Sequence, residues 1–258
     1  MACGCSRLRL GGTTLDGIYA LHPWSWDGLW GWPGRRGDNP PVLGRGGAYR
    51  VESKVAEQRR ATLGLQIRRK AADGSTTLDG CEHLELNQDA ILGLIGSPDL
   101  LTLEWDRANG TSRYLEVEVL DPSPISQHGD EQRLTVVMMA PYPQWRESGS
   151  PTVSAITGGP VSVNPGGNAE VEDLLISFAA TGKLTNSLTG DGLGVTHPGG
   201  APIEVNLGTG EVTQGGVQAG QHIADVDTAR VFHLLPGVNN PLTASAGTIS
   251  VTHRPEWW

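Results

Sequence analysis

The side chains best suited to chemistry are few and widely spaced in this 258-residue sequence. Glu116 and Glu118 share one face of a predicted strand, and paired carboxylates can hydrolyse glycosides, although on an exposed strand they are usually solvated charges. Asp225 and Asp227 resemble half of a calcium loop, but the glycine and the terminal glutamate of that loop are missing. The seven histidines are scattered, and the motifs of phosphate loops, zinc proteases and serine hydrolases are absent. We therefore expect a protein that is not an enzyme, with no catalytic, cofactor-binding or metal site.

The densest recognition chemistry is a run of four tryptophans followed by arginines in a Gly- and Pro-rich stretch. The tryptophans are Trp24, Trp26, Trp30 and Trp32, and the arginines are Arg35, Arg36 and Arg45. Aromatic residues are enriched at the buried centres of protein interfaces, so we interpret the tryptophans as residues that fill a core or a subunit contact. The arginines of the same loop are further candidate subunit contacts. Indoles also stack on sugar rings. A carbohydrate-binding β-sandwich module, as an adhesin or a glycosidase accessory domain, is therefore the alternative function.

The elements that must position these side chains are short β-strands. Apolar and polar residues alternate over 101–105 and again over 113–119, which is the period of a half-buried strand. A two-residue Asn-Gly turn between them would set leucines opposite glutamates. A three-residue loop, Ala108–Gly110, instead pairs apolar residues with one another and places Arg113 on the indole of Trp105. We predict the three-residue loop, with Gly110 in the left-handed conformation.

Two further strands and one helix are predicted around this hairpin. The strands cover residues 61–67 and Arg133–Ala140, and the second of them leads to a Pro-rich joint at 141–145. Asn87 is predicted to cap the N-terminus of the helix, and Gly96 to end it. The apolar stripe of the helix is predicted to be Ala90, Ile91, Leu94 and Ile95.

Composition and charge limit the classes that remain. The net charge of -9 disfavours nonspecific nucleic-acid binding, and the N-terminal residues do not have the pattern of a secretion signal. Segment 146–151 is polar and rich in strand breakers, so we place a linker there, between domains at 1–147 and 152–258. Beyond it the pattern predicts short strands only, typical of a sandwich or jelly roll. The predicted strands are 153–156, 161–163, 171–178, 202–207, 230–235 and 248–252.

Four motifs in the same order resemble those of siphophage distal tail proteins. The segment 161–170 is similar to the "V-N-x-G-N-A" opening of their C-terminal domain, and Leu234–Asn239 to their "L-L-P-G-x-N" motif. The final residues, Gly247–Trp257, resemble the "G-x-I-x-V-x-x-R-P-x-W" ending of that family. Residues 141–145 resemble the "P-x-P-x-W" joint that closes the N-terminal domain.

The resemblance implies a mainly β structural protein of the virion with two β-sandwich-like domains. The N-terminal, ring-forming domain would contain one helix, and the C-terminal domain would be galectin-like or jelly-roll. Six copies would form a ring that joins the tail tube protein to the tail-tip or baseplate hub protein and surrounds the DNA exit channel. DNA would pass through without specific binding.

The same resemblance implies assembly in the host cytoplasm and a final location at the phage tail tip. In that family the C-terminal domain sometimes binds sugars, which makes a host cell-wall polysaccharide a candidate partner. This chain has no long insertion that would hold an additional carbohydrate-binding module, so we expect wall binding by the chain itself to be absent.

Overall fold

The computed structural model describes residues 7–15, 21–29, 35–36, 55–56, 58–69, 80–128, 131–226 and 232–258. The chain divides into two compact units, with the boundary between Ser148 and Gly149. Within the described ranges there is one α-helix, and the rest of the regular structure is almost entirely antiparallel β-strand. The expected mainly β fold is therefore confirmed.

The first unit contains one large antiparallel sheet, a separate two-stranded ladder and one helix. Its strands are β1 (Arg7–Leu10), β2 (Thr13–Leu15), β3 (Leu21–Asp27), β4 (Arg35–Arg36), β5 (Val55–Ala56), β6 (Arg59–Ile67), β7 (Leu101–Asp106), β8 (Ser112–Pro122), β9 (Ser126–His128), β10 (Glu131–Ala140) and β11 (Trp145–Glu147), and its helix is α1 (Gly80–Ile95). The strand order is β2-β1-β7-β8-β10-β6-β3, which confirms the predicted meander through β7, β8 and β10. The first part of β8 pairs with β7 and β11, and its last part pairs with β10, so β8 belongs to both halves of the sheet.

The hairpin between β7 and β8 has the predicted register. Trp105 lies opposite Arg113, and apolar residues of the two strands face one another. The amide of Gly110 donates to the carbonyl of Arg107 at 3.1 Å, and Gly110 has a φ of +82°, as a three-residue loop requires. The Arg113 guanidinium lies 5.9 Å from the centre of the Trp105 ring, which confirms the predicted contact.

Helix α1 begins earlier than predicted, so the assignment of Asn87 as its N-cap is wrong. The helix starts at Gly80, and Asn87 lies buried in its middle, where its side-chain amide donates to the carbonyl of Arg68 at 2.8 Å. Ala90, which was predicted to be buried, is exposed. The buried stripe begins earlier in the helix than predicted. Its buried members are His83, Leu84, Asn87, Ile91 and Ile95. Gly96 follows the last helical residue, as predicted.

The predicted linker is wrong at its first two residues. Arg146 and Glu147 belong to β11 and lie opposite Tyr114 and Arg113 of β8. A polar composition does not prevent strand formation when the polar groups find partners. Here the Arg146 guanidinium lies between two tyrosine rings, 4.8 Å from Tyr114 and 5.1 Å from Tyr142.

The second unit is a sandwich of two antiparallel sheets. Its strands are β12 (Thr152–Thr157), β13 (Val161–Val163), β14 (Leu175–Phe178), β15 (Gly182–Asn186), β16 (Asp191–Val195), β17 (Ile203–Asn206), β18 (Glu211–Gln214), β19 (Val217–Gln218), β20 (Ile223–Val226), β21 (Asn240–Ala244), β22 (Thr248–His253) and β23 (Glu256–Trp257), with a 3-10 turn at Gly220–His222. One sheet has the order β12-β22-β14-β17-β18-β19, and the other β13-β21-β15-β16-β20. Both contribute to one apolar core that includes Phe178 and Leu234.

One predicted strand in this unit is correct only in its second half, and another is not a strand in its described part. Of the segment 171–178 only Leu175–Phe178 is a strand, and Val171 forms a single isolated bridge with Leu234. That bridge is also the only strand-like pairing in residues 232–235, the described part of the predicted strand 230–235. Apolar side chains at these positions fill the core from a connecting segment, which sequence alternation cannot distinguish from a strand.

The glycine-rich motif at 161–170 is hydrogen-bonded to the main chain near the C-terminus. The amides of Asn168 and Ala169 donate to the carbonyl of Glu256 at 2.9 and 3.1 Å. Gly167 has a φ of +72°, and a Cβ there would lie 2.1 Å from the Glu256 carbonyl oxygen. Two of the motifs that resemble the tail-protein family are therefore in direct main-chain contact with each other.

This approach predicts different costs for two neighbouring glycines. Gly166 also has a φ of +72°, but its added Cβ would meet only Pro255 at 3.7 Å. We expect Gly166→Ala to lower the free energy of unfolding by about 1 kcal/mol through backbone strain. Gly167→Ala should cost about 2 kcal/mol more, because both hydrogen bonds to Glu256 must lengthen. Urea denaturation of the full chain checks this, and equal losses in the two variants would contradict it.

His253 predicts a pH dependence of stability. Its side chain is only 3% exposed, and neither ring nitrogen has a hydrogen-bond partner in the part of the chain that the structure describes. Burial lowers the pKa of His253 because the imidazolium loses its hydration. The unfolded chain, with a histidine pKa of about 6.5, therefore binds this proton first as the pH falls.

The contribution of neutral His253 to the free energy of unfolding is complete above pH ~6.5. It decreases as the pH falls towards the lower pKa of His253 in the folded state. Replacing His253 with Leu should remove this contribution to the pH dependence of the unfolding free energy, because leucine does not titrate. Urea denaturation between pH 8 and pH 5 measures it as the difference between the wild type and the variant. Parallel curves for the two proteins would contradict the prediction.

Candidate assembly interface

Trp26 is the predicted contact residue whose side chain the structure describes. It lies on β3, at the end of the strand order, and is 48% exposed. Trp24 is described only by its backbone, which lies at a bulge between Pro23 and Ser25 on the same strand. Among the described side chains, no other aromatic residue belongs to the exposed class.

The other predicted contact residues are described less fully. Arg35 and Arg36 are described only by their backbone, which pairs with Ala56 and Val55 in the short ladder of β4 and β5. Trp30, Trp32 and Arg45 lie outside the described residues. The set of seven contact residues therefore stays a prediction.

The side chain of Arg59 is hydrogen-bonded to the main chain just after Trp26. Its side chain is 2% exposed, and its Nε donates to the carbonyl of Pro143 at 2.8 Å. Its Nη1 donates to the carbonyls of Gly28 at 3.3 Å and Leu29 at 2.9 Å. Burial lowers the pKa of Arg59, because the guanidinium is removed from water. The cation is thus bound by main-chain dipoles from two segments that are distant in sequence.

Trp145, at the end of the Pro-rich joint, is also hydrogen-bonded to Leu29. Its indole Nε1 donates to the carbonyl of Leu29 at 3.0 Å, and its ring packs edge-on against Trp105 at a centroid distance of 6.0 Å. Leu29 is completely buried. The end of the tryptophan-bearing strand and the joint are therefore fastened to one another.

Sequence reasoning missed Arg59, although the sequence contains a signal for it. The residue lies just before the predicted strand 61–67 and is followed by a second arginine. Arg59 lies on the same face of β6 as Ala61, Leu63 and Leu65, which are all buried. A charged residue on the apolar face of a strand is a marker of a buried, functional or architectural cation.

A row of charged and aromatic side chains crosses four strands of the first unit. Arg9, Glu104, Tyr114 and Arg146 lie opposite one another in register. Arg9 forms ion pairs with Glu104 at 3.0 Å and Asp106 at 2.8 Å, and Arg146 pairs with Glu116. Burial alone would raise the pKa of Asp106, but hydrogen bonds from Ser112 and Arg9 lower it overall. The charges of this row are therefore largely neutralised within the unit.

Trp105, which follows Glu104 on β7, has two guanidinium groups near its ring. Arg107 is 5.4 Å and Arg113 is 5.9 Å from the ring centre. Burial and then the charge of Arg107 lower the pKa of Arg113 to about 10, while Glu147 opposes this change. Even at that value Arg113 stays protonated near neutral pH, so it remains a cation against the indole.

The buried polar groups of the second unit also serve structure. Asp191 accepts hydrogen bonds from the hydroxyl of Thr189 at 2.8 Å and lies 2.8 Å from Nδ1 of His233. Because the hydroxyl is bonded to the carboxylate and not to the imidazole, this is not the geometry of an activated nucleophile. Asn240 donates to the carbonyls of Val163, Leu235 and Val238 and closes the turn of the L-L-P-G-x-N motif.

The second unit offers no exposed aromatic residue for sugar stacking. Between Gly149 and Trp257 the aromatic residues are Phe178, Phe232 and Trp257. The two phenylalanines are buried, and Trp257 is half-buried. The outer face of the larger sheet carries a row of non-aromatic residues that are small or polar: Ala155, Ser250, Ser177, Glu204, Thr213 and Gln218. This arrangement weakens the carbohydrate-binding alternative for this unit.

Two other kinds of site were sought in the part of the chain that the structure describes. No group of three or more His, Cys, Asp or Glu side chains there could hold a metal ion. The described helices include none with the length and apolar character needed to span a membrane.

Arg59 carries the prediction from this site. We expect Arg59→Met to lower the free energy of unfolding by roughly 3 kcal/mol, because the carbonyls of Leu29 and Pro143 lose a buried donor. The adjacent Arg60 is exposed and provides a matched control, so Arg60→Met should change it by less than about 0.5 kcal/mol. Urea denaturation measures both. Equal effects in the two variants would show that the buried contacts contribute nothing.

Comparisons with known proteins found no matching family model and no matching curated protein. Solved structures that are similar to this chain over nearly its whole length include two from phages. The crystal structure of SPP1 Dit, described as a paradigm of the hub adsorption apparatus in phages that infect Gram-positive bacteria, has a TM-score of 0.70 and 12% identity, and the match covers 98% of this chain and 99% of that chain. A chain of the phage p2 baseplate in its activated conformation with Sr has a TM-score of 0.50 and 12% identity, with 97% and 98% covered. The expected resemblance to distal tail proteins is confirmed at the level of fold: from end to end, this chain is similar in fold to SPP1 Dit.

Proposed function

We propose that this chain is a distal tail protein, a structural component of the virion of a long-tailed, non-contractile phage. The observation that carries the proposal is the full-length similarity to SPP1 Dit, at a TM-score of 0.70 over 98% of this chain. A match of one domain would show only a common β-sandwich, whereas this match extends across both units. The four family-like motifs of the sequence support the same assignment independently of the fold.

In the proposed role, six copies form a ring between the tail tube protein and the tail-tip or baseplate hub protein. Residues 1–147 form the ring, and residues 152–258 form a galectin-like domain that projects from it. The exposed indole of Trp26 supports a contact surface on the first unit, since large aromatic side chains stabilise the centres of interfaces. The protein is assembled in the host cytoplasm and ends at the tail tip.

The charge of the chain supports a channel that releases DNA. Six copies at -9 carry about -54, so the ring as a whole repels phosphate. Each phosphate bound by Lys or Arg would add counterion-release affinity and slow the passage of a genome. The described arginines Arg9 and Arg146 are paired with carboxylates, which leaves less positive charge to hold DNA. The lumen of the ring is accordingly lined by acidic and small polar residues of the first unit.

Ring formation by the purified chain tests the proposal. We expect light scattering after size exclusion to show a species of about 164 kDa, six times the 27.3 kDa of one chain, and negative-stain images to show rings. Trp26→Ala should shift this species towards monomer by removing an aromatic anchor. Val217 is 69% exposed on the second unit, and Val217→Ala is the matched control that should leave it unchanged. A wild-type chain that stays at 27.3 kDa at every concentration would overturn the proposal.

A further inference from the structure

We propose that Asn109–Gly110, at the tip of the hairpin between β7 and β8, is a site of spontaneous deamidation that the folded loop holds in an unreactive geometry. The sequence contains the pair Asn-Gly only once. Ala108, Asn109 and Gly110 are all exposed, so water reaches the tip. This inference concerns the covalent chemistry of the chain and does not depend on the proposed function.

The reaction uses only groups of the chain and water. The main-chain nitrogen of Gly110 loses its proton and forms a bond to Cγ of Asn109, and the side-chain amide leaves as ammonia. Water then opens the resulting succinimide ring at one of its two carbonyls, which gives aspartate or isoaspartate at position 109. Glycine hinders the attacking nitrogen least, because it has no Cβ. The sequence at the tip therefore favours this chemistry.

The attacking nitrogen is engaged elsewhere in the folded loop. The amide of Gly110 donates to the carbonyl of Arg107 at 3.1 Å, and the amide of Arg107 donates to the carbonyl of Thr111 at 2.9 Å. The N–H bond of Gly110 thus points at Arg107 and not at the side chain of Asn109. This hydrogen bond must break before the nitrogen can lose its proton and bond to Cγ.

The side-chain amide under attack is also held. Oδ1 of Asn109 accepts hydrogen bonds from the hydroxyl of Thr111 at 2.8 Å and from its main-chain amide at 3.2 Å. Two donors on a carbonyl oxygen can polarise it as in an oxyanion hole, which would favour attack on Cγ. That effect requires a nucleophile in place, and the Gly110 nitrogen is bonded to Arg107 instead. Thr111 is therefore protective, because it fixes the side chain of Asn109.

Deamidation of the folded protein then proceeds from the small fraction of molecules in which the loop is open. Its rate is the rate of the unfolded chain multiplied by that fraction, as for other reactions that need local opening. One hydrogen bond typically changes such an equilibrium by about fivefold. Because the reacting groups are held by bonds to both Arg107 and Thr111, we expect the loop to slow the reaction by roughly tenfold or more.

The two products should affect the hairpin differently. Aspartate keeps an oxygen that accepts from Thr111, so the loop retains its conformation. Isoaspartate adds a methylene group to the main chain, and a three-residue loop that sets Trp105 opposite Arg113 has no place for it. A chain deamidated in denaturant and then refolded should therefore contain a population that melts below Asn109→Asp, a variant with the same charge and no additional methylene.

Peptide mapping measures the reaction in the full chain. Trypsin cleaves after Arg107 and Arg113 and releases Ala108–Arg113, which contains the Asn109–Gly110 pair. Liquid chromatography with mass spectrometry separates the asparagine, aspartate and isoaspartate forms of this peptide. After parallel incubations at mildly alkaline pH, we expect conversion of the native chain to be slower than that of the chain in guanidinium chloride by roughly tenfold or more.

Thr111→Val distinguishes protection from activation. The variant lacks the hydroxyl donor and keeps the main-chain amide, so we expect native conversion to be about fivefold faster and conversion in guanidinium chloride to be unchanged. Thr248→Val removes a hydroxyl from an exposed threonine of the second unit, and as the matched control it should change neither rate. Circular dichroism melts establish that each variant is folded during the native incubation.

The measured rates decide between the possible roles of the loop. Equal rates for native and denatured chains, or no conversion of the denatured chain, would overturn the proposal. Slower native conversion in Thr111→Val would show that the hydroxyl activates the amide, and an unchanged native rate would show that it does not hold Asn109; either result contradicts the protective role. Faster native conversion in this variant alone supports it.

Discussion

The first unit depends on one buried cation, the guanidinium of Arg59. A buried charge without a carboxylate is unfavourable, since water solvates it better than an apolar core does. Here three main-chain carbonyls take the place of water, and they come from segments near residues 29 and 143. The indole of Trp145 adds a second donor to the Leu29 carbonyl. The strand that exposes Trp26 and the joint that closes the unit are therefore positioned by the same few hydrogen bonds.

The same use of polar groups recurs through the molecule. Arg146 is held by Glu116 and two tyrosine rings, Asp191 by Thr189 and His233, and Asn240 by the carbonyls of its own turn. Each looks reactive when considered alone, but its hydrogen bonds are made to neighbours in the fold. A buried polar group that has its partners contributes uniqueness of structure and not a reaction.

Similarity in fold at 12% identity is physically reasonable for such a protein. A β-sandwich tolerates many apolar substitutions if the burial pattern and volume are kept. Turn geometry is less tolerant, because positions such as Gly167 combine a left-handed backbone with a close main-chain approach. Two of the four family-like motifs, at 141–145 and 234–239, accordingly lie mainly in turns and connecting segments. Exposed side chains such as Trp26 are not subject to this backbone constraint.

The sequence by itself determined the mainly β class, the register of the β7–β8 hairpin and the end of α1. These follow from local rules: two-residue alternation, loop length and the conformational freedom of Gly110. It did not determine the start of α1 or the ends of the second unit's strands, since a buried Asn87 or Val171 depends on partners distant in sequence. The role of Arg59 was decided only by tertiary structure. Its position in the alternation of β6 places it on the core-facing side of the strand. The carbonyls that make its burial possible come together only when the chain is folded.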